Sequence, residues 1–326
     1  MQRFFKGVTA MSVFTLVERA ELEAFLAPYG LGRLLEFKGI AEGAENSNFF
    51  VSLEAGEYVL TLVERGPRAD LPFVLALLQR LHAAGLPVPY AVATQSGETL
   101  RELAEKPALL QPRLPGKHID QPNAHHCREV GTLLARLHLS TREQILERSS
   151  DRGLHWMLRE GPLQALHLHD KQLPLLRDSL AEVAEQQAHI LALPRANLHA
   201  DLFRDNLMFD GPHLSGVIDF YNACSGPMLY DVAISINDWC SERNGRLNIS
   251  RARAMLAAYA SLRPFTAAEA HLWPTLLRVA CLRFWLSRLI AVNQPAAAWA
   301  QIKDPSEFQQ RLEQRQQVSL ALPFAL

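Results

Sequence analysis

Asn197-Leu-His-Ala-Asp-Leu-Phe-Arg-Asp-Asn-Leu-Met-Phe-Asp210, followed by Val217-Ile-Asp-Phe220, is the stretch on which the reading of this 326-residue chain turns. It holds His199-x-Asp201-x-x-x-x-Asn206 and, thirteen residues past the asparagine, an isolated Asp219. Leu207, Met208 and Phe209, then Leu214, Val217 and Ile218, spell two short strands joined by Asp210-Gly211-Pro212. Asp201 and Asn206 therefore fall on a loop entering a hairpin, and Asp219 falls where the hairpin leaves. Three oxygen-bearing side chains at one end of a small sheet suit magnesium-dependent phosphoryl transfer. One carboxylate orients the attacking hydroxyl and takes its proton, while an amide and a second carboxylate hold the metal on the phosphates.

The pattern resembles the protein-kinase pair His-Arg-Asp-x-x-x-x-Asn and Asp-Phe-Gly, with Ala200 in place of the arginine and Tyr221 in place of the glycine. That variant is similar to the aminoglycoside-phosphotransferase-like (choline-kinase-like) branch, whose members phosphorylate small molecules. A lone His-x-Asp is a common loop; the spaced asparagine, the apolar flanks and the following Ile-Asp-Phe are what lift it to a site.

Bulk composition sets outer limits. The chain is long enough for two ordinary domains, and 48% apolar with 21% charged residues is globular. A net charge of -1 gives no basic excess for nucleic acid and no acidic excess for a polycation. Cys127, Cys224, Cys240 and Cys281 have no CxxC spacing and read as reduced, buried thiols of a cytoplasmic protein. His125-His126 and His167-x-His169 lack metal-site company. No run of about 18 apolar residues predicts a membrane span. Residues 1–11 read as an unstructured lead, with Met11 an alternative start, and Thr15-Leu-Val-Glu18 as a capping box opening a helix over 16–27.

Three apolar runs of strand length follow (34–40, 49–53, 58–63), then a helix over 71–84 and strands near 99–103 and 108–111. The order predicts an antiparallel sheet with a packed helix. Pro107-Ala-Leu-Leu-Gln-Pro-Arg-Leu-Pro-Gly116 reads as a hinge. Beyond it, helices are expected over 121–139, 178–191, 229–239, 250–262, 266–292 and 304–318. The fold class is α+β, a two-lobed protein-kinase-like fold. A small antiparallel β-sheet lobe (12–112) binds nucleotide, and a larger, mostly helical lobe (113–326) carries catalysis and the acceptor.

Gly39–Asn48 joins the first two strands and has glycines and small polar residues suited to phosphates, though it is neither Gly-x-Gly-x-x-Gly nor a Walker loop. Asn46, Ser47, Asn48, Thr61, Gln111 and Leu114 are the nucleotide-side candidates. Thr61 stands where kinases place a lysine, and the helix from Leu71 lacks the partner glutamate. Joint absence is consistent, because one buried charge without the other is costly. Loop amides, magnesium and Lys38 are expected to take over the phosphate contact.

The segment Phe220-Tyr-Asn-Ala-Cys-Ser-Gly-Pro-Met-Leu-Tyr-Asp-Val-Ala-Ile-Ser-Ile-Asn-Asp-Trp-Cys240 narrows the family. With Leu198-His-Ala-Asp-Leu-Phe, Ile218-Asp-Phe-Tyr and Tyr58-Val-Leu-Thr-Leu, it resembles the bacterial homoserine kinases of this fold over nearly the whole chain after Met11. The unrelated lineage with a Pro-x-x-x-Gly-Leu-Gly-Ser-Ser loop is excluded by its absence. The resemblance implies transfer of the ATP γ-phosphoryl group to the hydroxyl of L-homoserine, in threonine biosynthesis. It implies Asp201 as catalytic base, Asn206 and Asp219 as magnesium ligands, and His199 as a structural brace. Asp231 is expected to cap the helix it opens or to bond the catalytic loop. A zwitterionic acceptor needs a donor for its carboxylate, best an arginine. Tyr221, Asn237, Trp239, Arg204 and Arg288 are candidates, with Arg283 beside Phe284 and Trp285 on the same late helix. Two rivals remain: a kinase for another alcohol (an aminoglycoside, choline or a sugar), and a nucleotide-binding pseudokinase regulator. The partner is a small molecule, with no nucleic acid or membrane; monomer or homodimer stays open.

Overall fold

A computed structural model describes residues 15–40, 46–64, 66, 68–293 and 303–323. The expected lead at 1–11 and the middle of the Gly39–Asn48 loop lie outside the described residues. Two compact units emerge. The first comprises the described residues through Leu75 together with Pro89–Arg113, and the second comprises Ala76–Val88 and the described residues from Leu114 onward.

In the first unit, helix α1 (Arg19–Leu26) precedes strands β1 (Leu34–Gly39), β2 (Ser47–Leu53) and β3 (Gly56–Leu62). Helix α2 (Leu71–Ala83) follows, then β4 (Arg101–Leu103) and β5 (Lys106–Pro112). The five strands form one sheet in the order β1-β2-β3-β5-β4, each neighbouring pair antiparallel. Strict alternation along β2 turns Ser47, Phe49, Val51 and Leu53 inward. Leu60, Leu62, Leu103, Ala108 and Leu110 join them, and α1 closes the core with Leu22, Phe25 and Leu26. The helix against this core is thus α1. It begins at Arg19, later than the capping box predicted, because Glu18 is the N-cap and makes no side-chain cap bond. The Thr15 amide instead donates to Ser47 Oγ at 3.0 Å.

Residues 76–88, expected in the small lobe, cluster with the second unit. The carbonyls of Gly85 and Pro87 explain this, accepting from Arg136 Nη2 at 3.0 Å and from the Val217 amide at 2.9 Å. In that unit, α3 (Ala124–Thr141), α4 (Leu154–Gln164) and α5 (Leu173–Leu191) lead to short strands β6 (Arg195–Leu198), β7 (Leu207–Asp210), β8 (His213–Val217) and β9 (Cys224–Pro227). Helices α6 (Met228–Trp239), α7 (Ile249–Leu262), α8 (Ala267–Asn293) and α9 (Pro305–Arg315) complete it. The β7–β8 hairpin forms as predicted, whereas the β6–β9 ladder and α4 were not anticipated. Four-residue strands are too short to show a period. Helix α4 carries Gly161-Pro162 in its interior, a pair that ordinarily breaks helices. Gly161 is there for close approach, since a Cβ would lie 2.6 Å from Leu180 of α5. Gly131 does the same between α3 and α7: a Cβ would meet the Met255 carbonyl oxygen at 2.2 Å.

One buried carboxylate fixes the catalytic turn. Asp231, in the first turn of α6, is fully buried. It accepts the amides of His199 and Ala200 at 2.8 Å each. His138 Nε2 donates to it at 3.3 Å, and His138 Nδ1 lies 2.9 Å from the Tyr259 hydroxyl. Ala200 sits at φ 61°, a left-handed conformation costly for alanine. Pro227, not Asp231, is the N-cap of α6. Of the two expected roles for Asp231, the bond to the loop is the one observed. Burial alone would raise its carboxyl. The hydrogen bond and charge of His138, with the backbone amide of His199, outweigh burial and hold it below its ordinary range.

Two predictions follow from this packing. Gly131→Ala forces the α3 and α7 backbones apart and lowers stability by about 1–3 kcal/mol in urea unfolding. Asp231→Ala leaves two amides and His138 unpaired and lowers it by about 3–5 kcal/mol at pH 7. Because the folded value lies below the unfolded one, the wild-type carboxylate stabilises fully above the unfolded pKa of about 3.9. That share is lost as pH falls through the folded value, so the gap between wild type and variant should close on acidification.

Candidate active site

All the motif side chains lie in the second unit, between β6 and the end of the β7–β8 hairpin. His199 is fully buried. Its Nδ1 accepts the Asp201 amide at 3.3 Å, and its Nε2 faces the Ile218 carbonyl at 2.9 Å. A carbonyl can only accept, so the proton sits on Nε2 and the ring is neutral with both nitrogens engaged. That is a brace across the hairpin mouth, closed further by the Phe220 ring at 4.6 Å.

Asn206 ties the loop to itself and to β8. Its Nδ2 donates to the Asp201 carbonyl at 2.8 Å, its amide to Phe203 O at 3.0 Å, and its carbonyl accepts the Ile218 amide at 3.0 Å. The carboxamide nitrogen is thereby turned toward the loop backbone. Asp219 follows Ile218 directly, at φ 65° and exposed. One amide oxygen and one carboxylate are hard oxygen donors of the kind magnesium takes, with phosphates and water completing its shell. Among the described residues no three His, Cys, Asp or Glu side chains gather into a metal cage.

Asp201 keeps 21% side-chain exposure. Asn222 Nδ2 donates to its Oδ2 at 3.2 Å, and Arg283 Nη1 lies 3.6 Å from Oδ1. Asn222 was not singled out from sequence; its place three residues after Asp219 was the available signal. Arg148 was also missed. Its Nη1 donates to the Tyr221 carbonyl at 2.9 Å and to Ala223 O, fixing the segment that carries Asn222.

The acceptor-side candidates divide sharply. Tyr221 is half-buried beside the motif, and burial, then the charge of Asp219, pushes its phenol well above the ordinary value. Arg204 is engaged in a clamp. Its amide and Nε donate to Asp238 Oδ2 at 2.9 and 3.1 Å, and its Nη1 to Asp120 O at 3.0 Å. Arg311 adds an ion pair to Asp238 at 3.5 Å. Burial would raise the Asp238 carboxyl, but these two cations hold it low. Trp239 is fully buried, its indole donating to Leu202 O at 3.2 Å. Asn237 is interior too, bonded to Leu277 O and Arg315 Nε at 2.8 Å each. Arg288 donates to Asp304 O at 2.8 Å and Glu307 at 2.6 Å, anchoring the start of α9. Arg204, Asn237, Trp239 and Arg288 thus make bonds within the protein that brace the fold.

Of the nucleotide-side residues, Asn46, Ser47, Asn48, Thr61 and Gln111 belong to the first unit and Leu114 to the second. Thr61 Oγ1 donates to Asn48 Oδ1 at 2.7 Å across the β2–β3 ladder. Asn46 Oδ1 accepts the Glu64 amide at 3.1 Å, and Ser47 Oγ donates to the Glu64 carboxylate at 2.6 Å. The lysine slot is thus filled by a threonine that pins the end of the glycine-bearing loop. Gln111 pairs with Val59 on β5, and Leu114 packs on Gly216.

Residues 36–265 match the phosphotransferase enzyme family. A homoserine kinase of Pseudomonas aeruginosa (strain LESB58) is 66% identical over 316 residues, 97% of this chain and 100% of the relative. A homoserine kinase of Methylobacillus flagellatus is 41% identical, covering 93% of this chain and 95% of the relative. The solved structure of amicoumacin kinase hAmiN, in complex with AMP-PNP, Ca2+ and Ami, superposes with a TM-score of 0.71 at 16% identity, covering 94% of this chain and 96% of that one. A microcompartment-associated aminopropanol kinase superposes at 0.66 with 17% identity, covering 91% and 95%. These neighbours share the α+β protein-kinase-like fold. With these matches spanning nearly its whole length, the chain belongs to the homoserine kinases of the phosphotransferase enzyme family.

Proposed function

We propose that Asp201, Asn206 and Asp219 carry out the reaction of this family, ATP-dependent phosphorylation of the side-chain hydroxyl of L-homoserine to O-phospho-L-homoserine, a step of threonine biosynthesis. The observation that carries this reading is the part-exposed Asp201 carboxylate, held at both oxygens beside a hairpin that presents Asn206 and Asp219. Asp201 orients the acceptor hydroxyl and accepts its proton as the phosphoryl group transfers. Asn206 and Asp219 would hold Mg2+. Once bound, that ion neutralises charge on the donor's phosphates. In the first unit, Asn46, Ser47, Asn48, Thr61 and Gln111 are the residues we assign to the nucleotide. Four free, buried cysteines suit a reducing compartment, and we place the reaction in the cytoplasm. No helix among the described residues is long and apolar enough to cross a membrane.

An ADP-release assay across L-homoserine, L-serine, choline and an aminoglycoside tests the substrate. Homoserine is expected to lead by kcat/KM, and tight ATP binding without turnover of any alcohol would favour a regulator instead. Asp201→Asn should lower kcat by about 10^2–10^4-fold with the fold intact. Thr61→Lys removes the bond to Asn48 and buries an ammonium, so neither kcat nor ATP affinity should rise. A large gain in ATP affinity would refute that account of the lysine slot.

A further inference from the structure

Arg283 stands out because it is a buried cation with few partners. It lies at the middle of α8, 3% exposed, and its guanidinium stacks over the Phe284 ring at 3.9 Å. Among the described residues its one ion pair is with Asp201 at 3.6 Å, too long for a hydrogen bond, and its buried Nη1 has no acceptor. Other buried arginines in this unit are better served: Arg315 donates to Asn237, Gly245 and Ser241, and Arg263 to both oxygens of Glu269. A buried guanidinium with unmet donors costs free energy unless an anion completes it.

A second orphan points the same way. The Tyr230 hydroxyl is buried without a partner. Burial raises its phenol well above the ordinary value, and the charges acting on it include Arg283 and Asp201. At neutral pH it is therefore a neutral O–H donor. Two unmet donors thus stand near the turn that carries Asp201, Arg283 through its 3.6 Å ion pair and Tyr230 through its packing on the cluster of Leu198, Ala200 and Cys224.

The acceptor supplies the missing anion. L-homoserine carries its hydroxyl and its carboxylate at the two ends of a short chain, about 5 Å apart when extended, with C–C bonds of about 1.5 Å. With the hydroxyl on Asp201, the other end reaches a group adjacent to Asp201. We propose that Arg283, aided by Tyr230, binds the α-carboxylate of the amino-acid acceptor and so sets selectivity for a hydroxy amino acid over an amino alcohol. The inference rests on the assignment of Asp201 to the acceptor hydroxyl. Asn222 and Arg283 then have separate tasks: Asn222 fixes Oδ2 of the base, and Arg283 measures the far end of the substrate.

The test compares L-homoserine with 3-aminopropan-1-ol, the same molecule lacking its carboxylate. Wild type should favour homoserine by at least about 100-fold in kcat/KM, since a site built to bond a charged group rejects the analogue without it. Arg283→Met should lower kcat/KM for homoserine by about 100-fold, mainly through KM, with a far smaller loss on the amino alcohol. Arg283→Lys should recover part of the homoserine loss. Equal losses on both acceptors in a folded variant would overturn the proposal, because Arg283 would then act only by placing Asp201. A wild type indifferent to the carboxylate would overturn it without any variant. Asp201→Asn serves as the separate control. If it retains turnover, the assignment of the base fails, whatever the acceptor ratio shows.

Discussion

Two backbone amides, those of His199 and Ala200, end on a single buried carboxylate, Asp231. The rest of the catalytic geometry depends on that meeting. The turn at Ala200 runs left-handed, which exposes consecutive amides that neither β6 nor β7 can pair. An unpaired buried amide is expensive, and a carboxylate accepting two of them removes the cost twice. Strain at Ala200 is thereby stable, and Asp201 emerges from the turn already aimed. The carboxylate is itself held by His138, so the turn is clamped to α3 as well as to α6.

Around this clamp, polar groups divide into those that are satisfied and those that are not. His199, Asn206, Arg204 and Asp238 spend their hydrogen bonds on the protein and rigidify the loop. Asp201 stays part-exposed, and Arg283 Nη1 and the Tyr230 hydroxyl are buried with no hydrogen-bond partner among the described residues. Such a division suits preorganisation, in which the scaffold spends its own hydrogen bonds before any reactant arrives. A neutral, doubly bonded His199 fits it, since a ring with both nitrogens spent cannot move a proton.

How much of this was legible beforehand depends on the range of the interaction. The β7–β8 hairpin, the alternation along β2 and the spans of α2 and α6 are local patterns, and they appear close to where the sequence places them. The start of α1 was misread because a capping box is only a local possibility. The Thr15 amide had a partner 32 residues away, Ser47. The loop asparagine and the two aspartates were recognisable because their spacing is set by one short segment. The surroundings of the acceptor candidates were illegible for the opposite reason. Proximity in sequence to the motif put Arg204, Asn237 and Trp239 forward, yet α6 buries Asn237 and Trp239, and its Asp238 clamps Arg204.

The sequence alone determined the strands of the first sheet, the β7–β8 hairpin and the helices with a clear apolar period, because each is written in periodicity or in spacing within a few residues. Tertiary structure alone decided that Asn222 and Arg283 flank Asp201, that Asp231 holds the turn, and that Arg288 belongs to α9. Arg283 lies 82 residues from Asp201, on a helix whose apolar residues surround its whole circumference. No face of such a helix announces where a charged side chain will point, and only packing against the catalytic turn settles it.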